Sequence, residues 1–74
     1  MFWWIVDRND GSKYPYVIQA AETSVEAEFR VSHAMGQTRA NCTAQRHAGP
    51  YYTKQEAQNA MPTDSDREVC AMDQ

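Results

Sequence analysis

The sequence contains no leucine, and its other large apolar residues are scarce. Isoleucine, valine and phenylalanine together number nine of 74 residues, well below the share found in an ordinary globular core. Ten alanines and four methionines supply much of the remaining apolar surface. Aromatic residues make up 11% and the net charge is only −3, which differs from the composition of a disordered chain. We therefore expect a folded domain with a small core, of the kind that a binding partner often stabilises.

The chain also lacks the length and the motifs that enzymes of the common large scaffolds need. Its 74 residues allow a single domain, 1–74, and exclude a barrel or a two-domain nucleotide-binding enzyme. The three glycines are scattered and form no phosphate-binding loop. Cys42 and His47 are the one close cysteine–histidine pair, with His33 and Cys70 far away in sequence, whereas structural zinc sites use paired ligands at short spacing. We expect no enzymatic activity, no metal and no cofactor.

No targeting or membrane-spanning segment is evident in the sequence. The apolar run at residues 1–6 is too short to span a bilayer, and it has no basic region or small-residue cleavage site. Cys42 and Cys70 are the two cysteines. In the absence of an export signal we expect a cytoplasmic protein, with no membrane association and both cysteines as thiols.

The negative charge is concentrated at the C-terminal end. Residues 1–62 carry six basic and six acidic residues and are neutral, so the net −3 arises within residues 63–74. Because binding to nucleic-acid phosphates needs a basic surface, we expect no direct nucleic-acid binding. An acidic end is suited to a basic surface on a protein partner, or it serves only as a solvated terminus. The acidic residues assigned to such a contact are Asp64, Asp66 and Glu68.

The first third of the chain has the pattern of a β-hairpin. Residues 2–6 are aromatic or β-branched, as in strands. Residues 14–21 form a second alternating segment, and Asp10-Gly11 between the two is a strong turn signal. The sequence thus predicts two antiparallel strands joined by a turn near Gly11.

Two capping boxes predict two helices. Thr23 and Glu26 have the spacing of a capping box before an amphipathic segment, which predicts a helix over residues 24–35 that ends at Gly36. Thr53 and Glu56 repeat the pattern and predict a shorter helix that Pro62 ends.

Two further segments have strand patterns. Small and polar residues alternate over 38–46, which predicts a strand that Gly49-Pro50 interrupts, and residues 68–72 are a candidate final short strand. The sequence therefore predicts an α+β fold: a small, mainly antiparallel sheet of the N-terminal hairpin and one or two further strands, with two helices on one face.

Adjacent aromatic residues are the most informative feature for function. Trp3 and Trp4 are neighbours, as are Tyr51 and Tyr52, and successive side chains of a strand point to opposite faces. One aromatic of each pair is then exposed, unless both faces of the sheet are covered and bury all four. Exposed Trp and Tyr are typical anchors of protein interfaces and also stack on sugars and bases. We assign all four to partner binding.

Part of the chain resembles the SPOR domains. Residues 49–60, with Gly-Pro-Tyr-Tyr followed by Glu56-Ala57, are similar to the Gly-Pro-aromatic and Glu-Ala stretch of that family, and residues 18–28 resemble its first strand and helix. SPOR domains are small βαββαβ sheets that bind peptidoglycan glycan strands stripped of peptide. The resemblance implies a comparable fold and glycan binding, although the chain has no export signal, no tether helix and a shortened second helix.

In size and acidity the chain also resembles small accessory proteins of phages and mobile elements, such as the anti-CRISPR proteins. That resemblance implies a non-enzymatic protein that binds and occludes a host macromolecular machine. The alternatives are a SPOR-like glycan-binding module and a self-assembling structural protein whose aromatics pair two copies as a homodimer. The expected partner is accordingly a host complex or a second copy of the chain.

Overall fold

The computed structural model describes residues 1–62 of the chain. The predicted strand at 68–72 lies outside these residues. The described elements are, in chain order, β1 (Phe2–Asp7), β2 (Tyr16–Ala21), α1 (Ser24–Ala34), a 3₁₀ turn (Arg39–Asn41), β3 (Gln45–Tyr51) and α2 (Lys54–Asn59). This order has two strands before the first helix and one strand between the helices, which differs from the βαββαβ order that the SPOR resemblance implies.

The three strands form one antiparallel sheet with β1 in the centre. β1 and β2 pair in unbroken register from Phe2 opposite Ala21 to Asp7 opposite Tyr16. β3 pairs with the other side of β1, and its register shifts twice along the strand. The α+β class and the antiparallel N-terminal hairpin are thus confirmed.

The two helices cover opposite faces of this sheet. The α1 core is made by Trp4, Val6, Val17, Ala21, Ala27, Val31 and Ala44. The α2 core is made by Ile5, Ile18, Ala57 and Met61. This placement corrects the expectation of two helices on one face. Because β1 is apolar on both sides, each face of the central strand requires its own cover.

Both helices begin as the capping boxes predict. The Thr23 hydroxyl oxygen accepts a hydrogen bond from the Glu26 backbone N–H at 3.1 Å. The Thr53 hydroxyl accepts one from the Glu56 N–H at the same distance. α1 ends at Ala34, followed by Gly36 at φ 78°, a backbone angle that glycine adopts without strain.

The third strand begins and ends later than the alternating pattern predicts. Residues 39–41 form the 3₁₀ turn, and β3 starts only at Gln45 and continues through Gly49–Pro50 to Tyr51. Thr43, predicted to lie in the strand, instead bonds the first loop: its hydroxyl donates to the Arg8 carbonyl oxygen at 2.7 Å. The Gly49–Pro50 bond is cis and Gly49 has φ 119°. The pairing of β3 with β1 shifts register between Trp3 and Ile5 and again between Ile5 and Val6 of β1.

Candidate functional site

Four aromatic residues lie at one end of the sheet. Trp3 lies opposite Tyr51 in the pairing of β1 with β3, which brings the neighbouring residues Phe2 and Tyr52 together as well. The rings of Phe2 and Tyr52 lie 5.8 Å apart between centroids at an angle of 55°. We call Phe2, Trp3, Tyr51 and Tyr52 the aromatic end.

The members of the aromatic end differ in exposure. Trp3 and Tyr51 are half-buried against the α2 core, and Phe2 is half-buried against the α1 core. Tyr52 is 78% exposed, and Met1 beside Phe2 is 74% exposed. The aromatic end therefore presents one largely exposed ring, Tyr52, in contact with a second, half-buried ring, Phe2.

Trp4 lies in the core and does not belong to this surface. Its side chain is only 7% exposed, and its indole N–H donates a hydrogen bond to the Ala21 carbonyl oxygen at 2.9 Å. A buried indole with a satisfied N–H has the environment of a structural residue. Of the four aromatics assigned to partner binding, Trp3, Tyr51 and Tyr52 are accessible to a partner in this fold.

The acidic residues Asp64, Asp66 and Glu68 lie outside the described residues, so their contribution to binding stays a prediction. Within residues 1–62 the charges that form ion pairs include Arg8 with Asp10, at 3.6 Å from Nε to Oδ2, and Arg30 with Glu26, at 2.7 Å. Both pairs join neighbouring parts of the same chain segment.

A second accessible surface follows the outer side of α1. An open groove there is lined by β2, α1 and the turn after α1, through Gln19, Glu26, Phe29, Arg30, Ala34 and Arg39 among others. The Arg39 guanidinium lies 4.4 Å from the centre of the Phe29 ring, which is a cation–π geometry. The groove therefore has an aromatic wall with basic side chains beside it.

The loop between β1 and β2 is ordered by Arg8. Its Nη2 donates to the Ser12 hydroxyl at 2.7 Å and to the Tyr14 carbonyl oxygen at 2.6 Å. Asp10 accepts the Ser12 backbone N–H at 3.0 Å. The pKa of Asp10 is lowered, mainly by hydrogen bonds from the Ser12 hydroxyl and backbone N–H, and less by the charge of Arg8. These interactions hold the turn in place.

The fold separates the one close cysteine–histidine pair of the sequence. Cys42 packs against the α1 core and contacts the Ser32 hydroxyl. The His47 ring contacts the Tyr16 ring, with 4.6 Å between centroids and 58° between the ring planes. Tyr16 itself packs against the α2 core. The two side chains thus lie on opposite faces of the sheet. Among residues 1–62, no three histidine, cysteine or acidic side chains converge as metal ligands.

Sequence reasoning missed Phe2 as a member of the aromatic end, and it missed the pairing of Phe29 with Arg39. The pattern of residues 2–6 predicts only a strand for Phe2, because nothing local to these residues shows that Trp3 lies opposite Tyr51. The Arg39–Phe29 contact depends on the 3₁₀ turn folding back over α1. The alternating pattern over 38–46 predicts a strand at these positions and so gives no indication of the turn.

The chain matches no protein-family model, and comparison with curated proteins and with solved structures gives no match either. Within the described part of the chain, neither helix has the length and apolar character needed to cross a membrane.

Proposed function

We propose that this chain is a non-enzymatic binding protein whose contact surface is the aromatic end. The observation that carries the proposal is Tyr52, which is 78% exposed while its ring is supported by Phe2 at 5.8 Å. Large aromatic side chains held in place at the surface are the residues that contribute most to protein interfaces. They also lose little conformational freedom on binding, because a neighbouring ring already restricts them.

The proposed partner is a protein, and the proposed action is occlusion of a surface on a larger host complex. Three features support this choice. The chain is small, the described part is electrically neutral, and the net charge of −3 arises in residues 63–74. We propose that Asp64, Asp66 and Glu68 meet basic groups on the partner while the aromatic end supplies the apolar contact. A small acidic and apolar contact surface of this kind suits an inhibitor of a host machine from a phage or mobile element, such as an anti-CRISPR protein.

The test is a pull-down from host lysate with tagged full-length chain, followed by a binding measurement with the purified captured protein. The informative variant is Tyr52→Ser, which removes the exposed ring. Val25→Ser is the matched control, because Val25 is another apolar side chain, 55% exposed on α1, that is not a member of the aromatic end. A third variant reverses charge at Asp64→Lys and Asp66→Lys together.

The proposal predicts one stoichiometric partner that Tyr52→Ser binds at least about tenfold more weakly, corresponding to about 1.4 kcal/mol, while Val25→Ser binds unchanged. Charge reversal should slow association and remove its salt dependence. Equal binding by wild type and Tyr52→Ser would show that the aromatic end is not the contact surface. Capture of no stoichiometric protein by the wild type would contradict a protein partner altogether.

A further inference from the structure

The outer edge of β2 is a regular strand edge that no described strand covers. β2 lies at one side of the sheet, with β1 as its partner on the other side. All six residues of β2 pair with β1 without a bulge, and the strand contains no proline, lysine or acidic residue. An edge of this kind is a template for another strand, since proteins usually block such edges with those features.

The other edge of the sheet has the protective features that β2 lacks. β3 contains Pro50, which has no N–H to donate, and Gly49 at φ 119°. Its pairing with β1 shifts register twice, and it presents Arg46 and His47 as exposed side chains. Bulges, proline and charge are the usual means of preventing strand addition. Strand addition is therefore favoured at β2 and opposed at β3.

The backbone N–H and C=O groups of successive β2 residues point alternately towards β1 and away from it. This alternation shows which backbone groups lie on the outer edge. The Arg8 N–H donates to the Pro15 carbonyl oxygen at 3.0 Å. Because hydrogen-bonded pairs alternate along an antiparallel ladder, Val17, Gln19 and Ala21 direct their backbone groups towards β1. Tyr16, Ile18 and Ala20 then direct their N–H and C=O groups outwards. The Gln19 side-chain amide donates to the Ala20 carbonyl oxygen at 3.1 Å, which agrees with an Ala20 carbonyl that points away from β1.

These outward groups can pair with those of an identical strand. In an antiparallel pair of β2 strands about a two-fold axis at Ile18, Ile18 lies opposite Ile18 of the second copy. Tyr16 lies opposite Ala20 of the second copy, and each facing pair has backbone groups directed at the other strand. The same register keeps the apolar faces of the two sheets aligned, because it joins residues of the same face.

The flank of α1 beside this edge is self-complementary in charge. Glu26 and Arg30 border the same groove as Gln19 of β2, and the two form an exposed ion pair at 2.7 Å. A two-fold axis perpendicular to the sheet makes the two α1 helices antiparallel, so that Glu26 of one copy lies on the side of Arg30 of the other. α1 contacts all three strands, which puts its axis near β1. Since neighbouring strands are about 4.8 Å apart, the two helix axes lie roughly 14 Å apart, within the reach of long side chains.

We infer that the outer edge of β2 is a homodimer interface, in which two copies form one continuous six-stranded sheet. This interface is made by the outer backbone groups of β2, whereas the aromatic end is made by side chains of β1, of β3 and of Tyr52 after β3. The inference therefore does not depend on the function proposed above. The small core of the chain is consistent with a domain that a second copy stabilises. Dimerisation would also place two aromatic ends on one particle and so make partner binding bivalent.

The first measurement is sedimentation of the full-length chain over a range of concentrations, for the wild type and two β2 variants. Ala20→Pro removes an outward N–H and leaves the pairing with β1 intact, because the Ala20 N–H points away from β1. Ala20→Ser retains that N–H and is the matched control. We expect wild type and Ala20→Ser to reach twice the monomer mass, and Ala20→Pro to dissociate with a dissociation constant at least about tenfold higher.

A charge-swap pair provides a test that leaves the β2 backbone unchanged. Arg30→Glu sets like charges against Glu26 of the second copy and should weaken the dimer, most strongly at low salt. The double variant Glu26→Arg with Arg30→Glu restores opposite charges and should restore the dimer. Far-UV circular dichroism of each variant checks that the monomer remains folded.

Hydrogen exchange at the amides of Tyr16, Ile18 and Ala20 distinguishes a second copy from other occupants of the edge. The inference predicts protection of these amides that falls as the protein is diluted. Protection that persists when sedimentation shows a monomer would overturn it, because something other than a second copy would then cover the edge. A monomer with rapid exchange at all three amides, or a dimer insensitive to Ala20→Pro and Arg30→Glu, would overturn it as well.

Discussion

Gly49 is packed directly against Trp4. A β carbon at position 49 would lie 3.1 Å from Trp4 Cε3 and 3.2 Å from the Trp3 carbonyl oxygen. Gly49 also has φ 119°, an angle that residues with a side chain rarely adopt. The contact holds β3 against the central strand at the point where its register shifts.

We therefore expect Gly49→Ala to lower the free energy of unfolding by about 2 kcal/mol or more, through backbone strain and overpacking together. Gly36→Ala is the matched control. Gly36 also has positive φ, but a β carbon there would meet nothing within 4 Å, so its cost should be about 1 kcal/mol. Urea unfolding measures both. Equal losses would show that the Trp4 contact adds nothing to the backbone effect.

The two N-caps should contribute similar amounts to stability. Thr23→Ala and Thr53→Ala each remove the hydroxyl that accepts a backbone N–H at 3.1 Å. We expect each to cost about 1 kcal/mol, measured as a shift of the urea midpoint at constant slope. Thr→Ser at either position keeps the acceptor and should recover most of the loss. A Ser variant as destabilised as the Ala variant would argue against the capping role.

Glu28 joins α1 to β3 through a single hydrogen bond. Its Oε2 accepts the Arg46 backbone N–H at 2.8 Å, near the start of the irregular strand. Glu28→Ala should accelerate hydrogen exchange at the Arg46 amide and cost about 1 kcal/mol, because this bond is exposed and water can replace it in part. Glu28→Gln retains an acceptor and is expected to lose less. Unchanged exchange at Arg46 in the alanine variant would contradict the link.

Asp10 should make stability depend on pH in the acid range. Hydrogen bonds from Ser12 lower the pKa of Asp10 below 3.8 in the folded chain. A carboxyl with a lowered folded-state pKa stabilises above its unfolded pKa, and this stability is lost as the pH falls through the folded pKa. Between about pH 5 and about pH 2, Asp10→Asn should lose less stability than the wild type. The measurement is urea unfolding of both chains at several pH values. An equal loss of unfolding free energy by wild type and Asp10→Asn over that range would contradict this assignment.

Local signals in the sequence were sufficient for the hairpin and for both helices. Thr23 and Thr53 cap the helices that their capping boxes predicted, because a capping box satisfies N–H groups only three residues away. The turn at Asp10-Gly11 joins the two predicted strands, with Gly11 at φ 80°. Each of these features depends on residues close together in the chain, so a short stretch of sequence carries the information.

The aromatic end was only partly predictable. The adjacent pairs Trp3–Trp4 and Tyr51–Tyr52 indicated that some aromatic rings would be accessible, since neighbours on a strand face opposite ways. The sequence did not indicate that Trp4 lies in the core and Tyr52 outside it, at 7% and 78% exposure. That difference depends on the indole bond to Ala21 and on the cover that α1 provides for one face.

The sequence by itself determined the α+β class, the helix starts and the first hairpin, because these follow from spacing within a few residues. Only the tertiary structure decided that the helices cover opposite faces, that β3 begins at Gln45, and that Trp3 lies opposite Tyr51. Each of these depends on residues distant in the chain, whose pairing is selected by burying both sides of β1 at once. The same arrangement leaves Tyr52 exposed and the outer edge of β2 uncovered by any described strand, and these are the two surfaces on which the proposed binding depends.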